Sequence, residues 1–290
     1  MAEILLVQPD YPVDAILCAL LSRAYEAAAS LGIDVFVGGA TARDIMLTHV
    51  HARPPRRATR DVDLCLCIER WAHFDEIRTR LIDTGEFFAA TGAAHRLHYR
   101  RPGGIPLDLI PFGAISEPTQ SITWPPDHVV VLNVAGFEEA LACAEWVDLG
   151  SGVPIPVCSL ACLSVLKLHA WLDRRFQNNK DAIDFFTLAV SYAAAGNVDR
   201  LYTEGIEFLD AAGYDPDLAG AALLGRDAAK RCLPSTLRSV ASILENAVLM
   251  QQMQDQLMRV QAMGEGLVDA RRIPQFIAFY RMGFASQSSQ

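Results

Sequence analysis

The sequence predicts a mixed α/β (α+β) fold in its first half and an all-helical second half. Three observations carry this expectation. Short apolar runs punctuated by glycine and proline alternate with segments of helical spacing as far as SGVPIPVC (151–158), and run length with such punctuation separates strands from helices. From Ser159 onward nearly every segment repeats its apolar residues at helical spacing. Pro154 and Pro156 mark the change. The expected domains are therefore residues 1–157 and 158–290.

Each element follows from local pattern. Ile16, Leu17, Leu20, Leu21, Tyr25 and Ala28 line one helical face between Val13 and Leu31, and Gly32 stands where a helix would close. IDVFV (33–37) is a short strand ending at Gly38-Gly39, and TARDIMLTHV (41–50) reads as the helix after that turn. A strand over 60–68 and a helix over 71–84, closed by Gly85, come next. HRLHYR (95–100) and IPLDLIPF (105–112) flank RPGG and so pair as a hairpin. Further strands are expected over 128–134 and 143–149, with SGVPIPVC ending the sheet region. The second half predicts helices over 159–172, 180–194, 215–231, a long 235–263, and 270–282.

Composition narrows the function classes. With 51% hydrophobic and 20% charged residues, the chain is in the globular range and far from disorder. The seven cysteines are scattered and form no CxxC knuckles, which argues against a disulfide framework or a structural zinc site. MAEILLVQPDYP lacks a basic region and a long apolar run, so neither a signal peptide nor a membrane span is expected and a cytoplasmic location is. The net charge of −9 does not announce a nucleic-acid binder. Yet 49–60 carries four arginines and no acid, and 95–101 adds three more.

The chemistry is concentrated in TRDVDL (59–64). Residues i and i+2 of a strand point the same way, roughly 6.6 Å apart, so Asp61 and Asp63 converge on one face. Asp108, in PLDLIP, lies on another extended segment between apolar neighbours. If those strands adjoin, three carboxylates meet, and like charges at that distance require a cation. Oxygen donors alone suit Mg²⁺ or Mn²⁺. Upstream, the Gly38-Gly39 turn leading into a helix N-terminus is a cradle for phosphate. Carboxylates that hold metal beside such a cradle imply nucleotide chemistry, an in-line displacement at phosphorus.

A glycine pair, DxD about twenty residues later and a third Asp on a later strand resemble the nucleotidyltransferase fold of the DNA polymerase β superfamily over residues 30–112. KLHAWLDR (167–174) and KDAIDF (180–185) resemble two further motifs of the AbiEii-type toxin nucleotidyltransferases. Where that family usually has Gly-Ser, this chain has Gly38-Gly39; GGATARD is similar to the opening of the tRNA CCA-adding branch, one residue longer. The resemblance implies a polymerase-β-like catalytic domain completed by a helical one. NMP would move from an NTP to a hydroxyl acceptor and pyrophosphate would leave. Asp61, Asp63 and Asp108 would bind metal. Gly38, Gly39, Arg43, Lys167, Arg174, Asp181 and Asp184 would bind nucleotide, with Lys167 neutralising the leaving group.

By the same resemblance the acceptor is a tRNA 3′ end, gripped through Arg56, Arg57, Arg60, Arg96, Arg100 and Arg101, and an antitoxin protein is a partner. A small-molecule transferase of the antibiotic-modifying sort suits the acidic net charge better, and a catalytically silent binding module is the third reading. The histidines at 49, 51, 95 and 98 lack zinc-like spacing and are expected not to ligate metal.

Overall fold

The computed structural model describes residues 3–54, 61–125, 131–260 and 269–288, and the chain divides into two compact units, Met1–Ser159 and Leu160–Gln290. In the first unit the strands are β1 (Ile4–Leu6), β2 (Asp34–Val37), β3 (Val62–Cys67), β4 (Phe87–Ala89), β5 (Arg96–Tyr99), β6 (Ile105–Phe112), β7 (Ser121–Thr123), β8 (Val131–Asn133), β9 (Glu145–Asp148) and β10 (Pro154–Val157). Between them lie helices α1 (Ala15–Ser30), α2 (Gly39–Asp44, which continues as a wider π turn over Ile45–Val50), α3 (Trp71–Asp83) and α4 (Phe137–Ala142). Eight strands form one mixed sheet in the order β1-β9-β10-β2-β3-β6-β5-β4, and β7 pairs with β8 apart from it.

Local sequence explains these elements. α1 opens at Asp14, whose carboxylate accepts the N–H groups of Ile16 and Leu17, and closes at Gly32 with φ +66°. Its face carrying Leu20, Leu21, Ala24 and Ala28 is fully buried. Phe36, Phe112 and Phe137 meet at 5.5–6.1 Å between ring centroids and fill the core beside β2 and β6. The RPGG turn produces the antiparallel β5–β6 hairpin, and β3 runs parallel to β6.

One expectation is sharpened here and another corrected. SGVPIPVC does close the sheet region along the chain, but its PIPV segment, read only as a boundary, is itself a strand, β10, between β9 and β2. The prolines fit because the Cys158 N–H faces β2, bonding Val37 at 2.9 Å. Residues 154 and 156 present their nitrogens to that same edge, where pairing with β2 begins only at Val157. The long helix over 235–263 is instead two, broken at Asn246, whose ψ of 103° ends one helix and whose side chain accepts the Val248 and Leu249 N–H groups to cap the next.

The second unit contains α5 (Leu160–Arg174), α6 (Lys180–Ser191), α7 (Val198–Thr203), α8 (Ile206–Ala211), α9 (Pro216–Arg231), α10 (Pro234–Glu245), α11 (Ala247–Val260) and α12 (Ile273–Ser288). α9 and α12 approach so closely that a Cβ on Gly225 would lie 2.1 Å from the Tyr280 carbonyl oxygen and one on Gly283 would lie 1.7 Å from that of Ala222. No helix among the described residues is long and apolar enough to cross a membrane.

Asp227 of α9 is buried and accepts hydrogen bonds from Tyr192 at 2.6 Å and from Arg200 at 2.7 and 3.0 Å. Burial raises its carboxyl, but the bonds from Arg200 and Tyr192 outweigh that and hold it below its ordinary value. Its folded value lies below its unfolded one, so this stabilisation is present near neutrality and lost as the pH falls. Asp227→Ala leaves Arg200 and Tyr192 facing each other without the acid and should cost about 3–5 kcal/mol at neutral pH. The deficit should begin to shrink below about pH 4, where the unfolded chain's carboxylate takes up a proton that the folded one still resists. Denaturant titrations of both proteins at pH 7 and pH 3.5 check this.

Candidate active site

Three charged residues form a row across neighbouring strands. In the parallel β3–β6 pair Asp63 stands opposite Asp108, and in the antiparallel β5–β6 pair Arg96 stands opposite the same Asp108. Paired residues share a sheet face, and Asp61, two positions before Asp63, joins that face. Exposure is graded along the row: the Asp61 side chain is 54% exposed and that of Asp108 13%. The apolar partners Val62, Leu64, Leu107 and Leu109 point the other way into the core. The alternation that buries one face of each strand thus delivers the acids to the opposite one.

The glycine turn is tied to this row. The Gly38 N–H donates to the Asp63 carbonyl at 2.9 Å, and the Thr41 hydroxyl donates to that of Asp61 at 2.9 Å. Gly39 has φ +60°, and a Cβ there would lie 1.7 Å from Asp63 Oδ2. Only glycine allows this approach. The first intrahelical bond of α2 runs from Ala42 N–H to the Gly38 carbonyl, which leaves the N–H groups of Gly39, Ala40 and Thr41 without an intrahelical acceptor. Arg43, expected at the nucleotide, is buried and bonded to Asp44 at 2.5–2.8 Å.

Arg96 closes the row. Its Nε donates to Asp108 Oδ1 and its Nη2 to Oδ2, both at 2.7 Å, while Nη2 is 3.9 Å from Asp61 Oδ2. These hydrogen bonds, with the negative charge of Asp61 and Asp63 nearby, raise the guanidinium above its ordinary value. Burial, with Asp63 adjacent, drives the Cys65 thiol well up, so it is no nucleophile at neutral pH. Among the described residues no group of three or more His, Cys, Asp and Glu side chains is gathered tightly enough to hold a metal as it stands. The donor set nevertheless fits a hard divalent cation in kind: it consists of carboxylates alone, with Asp63 and Asp108 in register and the Asp63 carboxylate seated in the space that Gly39 leaves free.

In the helical unit, Lys167 and Arg174 of α5 meet Asp181 and Asp184 of α6. Lys167 Nζ lies 3.2 Å from Asp181 and 2.7 Å from Asp184, and Arg174 bonds Asp181 twice at 3.0 Å. The Lys167 side chain is 10% exposed and that of Arg174 47%. Arg174 is thus the cation with an open side.

A model of the nucleotidyl transferase AbiEii toxin family, of type IV toxin–antitoxin systems, matches residues 20–276. The chain belongs to this family. It is accordingly an enzyme of the nucleotidyltransferase class, and the matched span includes the acids of β3 and β6 as well as the α5–α6 cluster. Among solved structures it is similar to the antibiotic-resistance factor ANT(2″)-Ia, at 14% identity over 70% of this chain and 99% of that one, with a TM-score of 0.36. An antigenic nucleotidyltransferase-like protein from Paracoccidioides brasiliensis matches at 17% identity over 69% and 93%, with a TM-score of 0.43. The Thermotoga maritima CCA-adding enzyme, complexed with tRNA, matches at 13% over 94% and 82%, with a TM-score of 0.26. No curated protein matches the chain.

For this AbiEii-family chain the arginine expectations divide. Arg56, Arg57 and Arg60 lie outside the described residues. Arg100 and Arg101 are exposed at the β5–β6 turn, whereas Arg96, expected at an RNA backbone, is held by Asp108 instead. His95, considered in the sequence only as a non-ligand for metal, lies beside the row, with its Nε2 4.0 Å from Asp108 Oδ1 and its ring 5.7 Å from Trp124. The RPGG turn held the signal for Arg96, because a hairpin closed there sets residue 96 opposite residue 108.

Two substitutions probe these arrangements. Gly39→Ala forces a Cβ into Asp63 at a positive φ, and should cost about 1–3 kcal/mol of stability while reducing NMP transfer at least 100-fold, read from melts and radiolabel transfer. Lys167→Ala removes the cation beside buried Asp184 and leaves Asp181 with Arg174 alone, and should lower stability by about 3–5 kcal/mol, which denaturant titration measures.

Proposed function

We propose that this AbiEii-family enzyme transfers an NMP group from an NTP to the terminal hydroxyl of an RNA, with tRNA 3′ ends as the acceptor. The observation that carries the reading is the row of Asp63 and Asp108 in register, with the glycine turn bonded to the same strand. Asp61, Asp63 and Asp108 would hold Mg²⁺ or Mn²⁺, which when bound supplies the positive charge that offsets the triphosphate and eases ionisation of the acceptor hydroxyl.

The chain's own residues account for the remaining steps. The first-turn N–H groups of Gly39, Ala40 and Thr41 receive phosphate oxygens. Asp108 Oδ2 takes the proton of the attacking hydroxyl. A bond forms from the acceptor oxygen to the α-phosphorus while the bond from that phosphorus to the bridging oxygen breaks, and pyrophosphate leaves with that oxygen. In the helical unit Arg174 would meet anionic groups of the nucleotide, and Lys167 fixes Asp181, the carboxylate that orients it. The exposed pair Arg100 and Arg101 fits an RNA backbone. The family's place in toxin–antitoxin systems supports an antitoxin as partner. The net charge of −9 favours the second reading, a transferase acting on a small hydroxylated molecule.

Incubation with each α-labelled NTP, Mg²⁺ and total tRNA should label tRNA with one NTP preferred, and Asp63→Asn should abolish labelling. Arg100→Gln with Arg101→Gln should weaken tRNA binding and flatten its salt dependence by about 0.7–0.9 log unit for each RNA phosphate that the variant no longer neutralises. Absence of tRNA labelling with every NTP, or an unchanged salt slope, hands the lead to the small-molecule reading.

A further inference from the structure

We propose that Arg96 is a positioning residue that serves as the acidic row's internal cation, holding Asp108 and reaching toward Asp61 until a divalent ion displaces it. The inference rests on the metal assignment above and adds a residue with a defined role to it. Arg96 faces Asp108 directly across the β5–β6 ladder and engages both carboxylate oxygens at 2.7 Å. Its Nη2 lies between two of the carboxylates, 2.7 Å from Asp108 Oδ2 and 3.9 Å from Asp61 Oδ2. A single positive charge therefore stands where an ion joining those two carboxylates would have to sit.

Two cations cannot share that place. A guanidinium binds a carboxylate edge-on as a flat fork, whereas Mg²⁺ needs oxygens at about 2.0–2.1 Å in octahedral array. The divalent ion carries the larger charge and so prevails at sufficient concentration. Displacement does not strand a buried charge, because the Arg96 side chain is 32% exposed and the neighbouring turn, with Arg100 and Arg101, is open to solvent. The arrangement keeps the acids together without metal and sets a concentration threshold for metal entry.

The test is Mn²⁺ binding, without nucleotide, by wild type, Arg96→Met and Arg96→Lys, followed by electron paramagnetic resonance. Arg96→Met removes the competing charge and keeps most of the stem, so it should bind Mn²⁺ about tenfold more tightly, equivalent to about 1.4 kcal/mol. It should also melt lower than wild type without metal and gain more on adding Mn²⁺. Arg96→Lys keeps the charge but loses the fork, so its affinity should fall between the two. That variant decides the matter alone if Arg96→Met does not fold. Equal or weaker binding by the variants overturns the displacement and leaves the metal site standing. No Mn²⁺ binding by any of the three proteins overturns the metal assignment and the displacement together.

Discussion

Carboxylates on adjacent strands repel each other, and the first unit is arranged around containing that repulsion. Asp63 and Asp108 are fixed opposite one another by the β3–β6 register, and neither backbone position can change face without carrying its apolar neighbours out of the core. Containment comes from two directions. The Arg96 fork meets Asp108 from β5. On the other side the Gly38 N–H and the Thr41 hydroxyl bind the carbonyls of Asp63 and Asp61, so the DxD backbone cannot relax while its side chains repel. Gly39 is part of the same constraint, since any side chain there would occupy the volume of the Asp63 carboxylate.

The helical unit solves a related problem with the opposite emphasis. Lys167 is enclosed with Asp181 and Asp184, and Asp227 is enclosed with Tyr192 and Arg200. Both clusters bury ions, which is tolerable only with nearly complete pairing. They differ in one respect that bears on function. Arg174 presents about half its side chain to solvent while bonded to Asp181, so an anion can approach without first breaking the pair. Arg200, on the other cluster, also bonds Glu204 and Asn197, so its donors are already committed. A structural role suits the Asp227 cluster and a ligand-facing one suits Arg174.

How much was legible in the sequence depended on whether the signal was local. The DxD strand, the glycine turn, the RPGG hairpin and the main helices are set by spacing and punctuation, and each reads correctly to within a few residues. β10 escaped because its prolines read as a boundary, and only the partner strand reveals that their nitrogens face an edge where pairing has barely begun. The break at Asn246 escaped because apolar periodicity runs through it, while the capping geometry is a property of the backbone. At the site, residue types were legible and pairings were not. Arg96 was read as a contact to an RNA backbone, and its tie to Asp108 escaped because it spans two strands; Arg43 was read as nucleotide-binding, and its bond to its own neighbour Asp44 in the interior escaped as well.

The gradient of exposure across the acidic row separates its members by role. Asp61 is more than half exposed, so meeting another ligand costs it little desolvation. Asp108 is mostly enclosed and both its oxygens are taken by the Arg96 fork, so another ligand can reach them only where that fork gives way. Under the proposed metal reading, the same strand register that brings the acids together therefore also sets an order on their use, in which Asp61 is open to a ligand from the start and Asp108 only after Arg96 has left it.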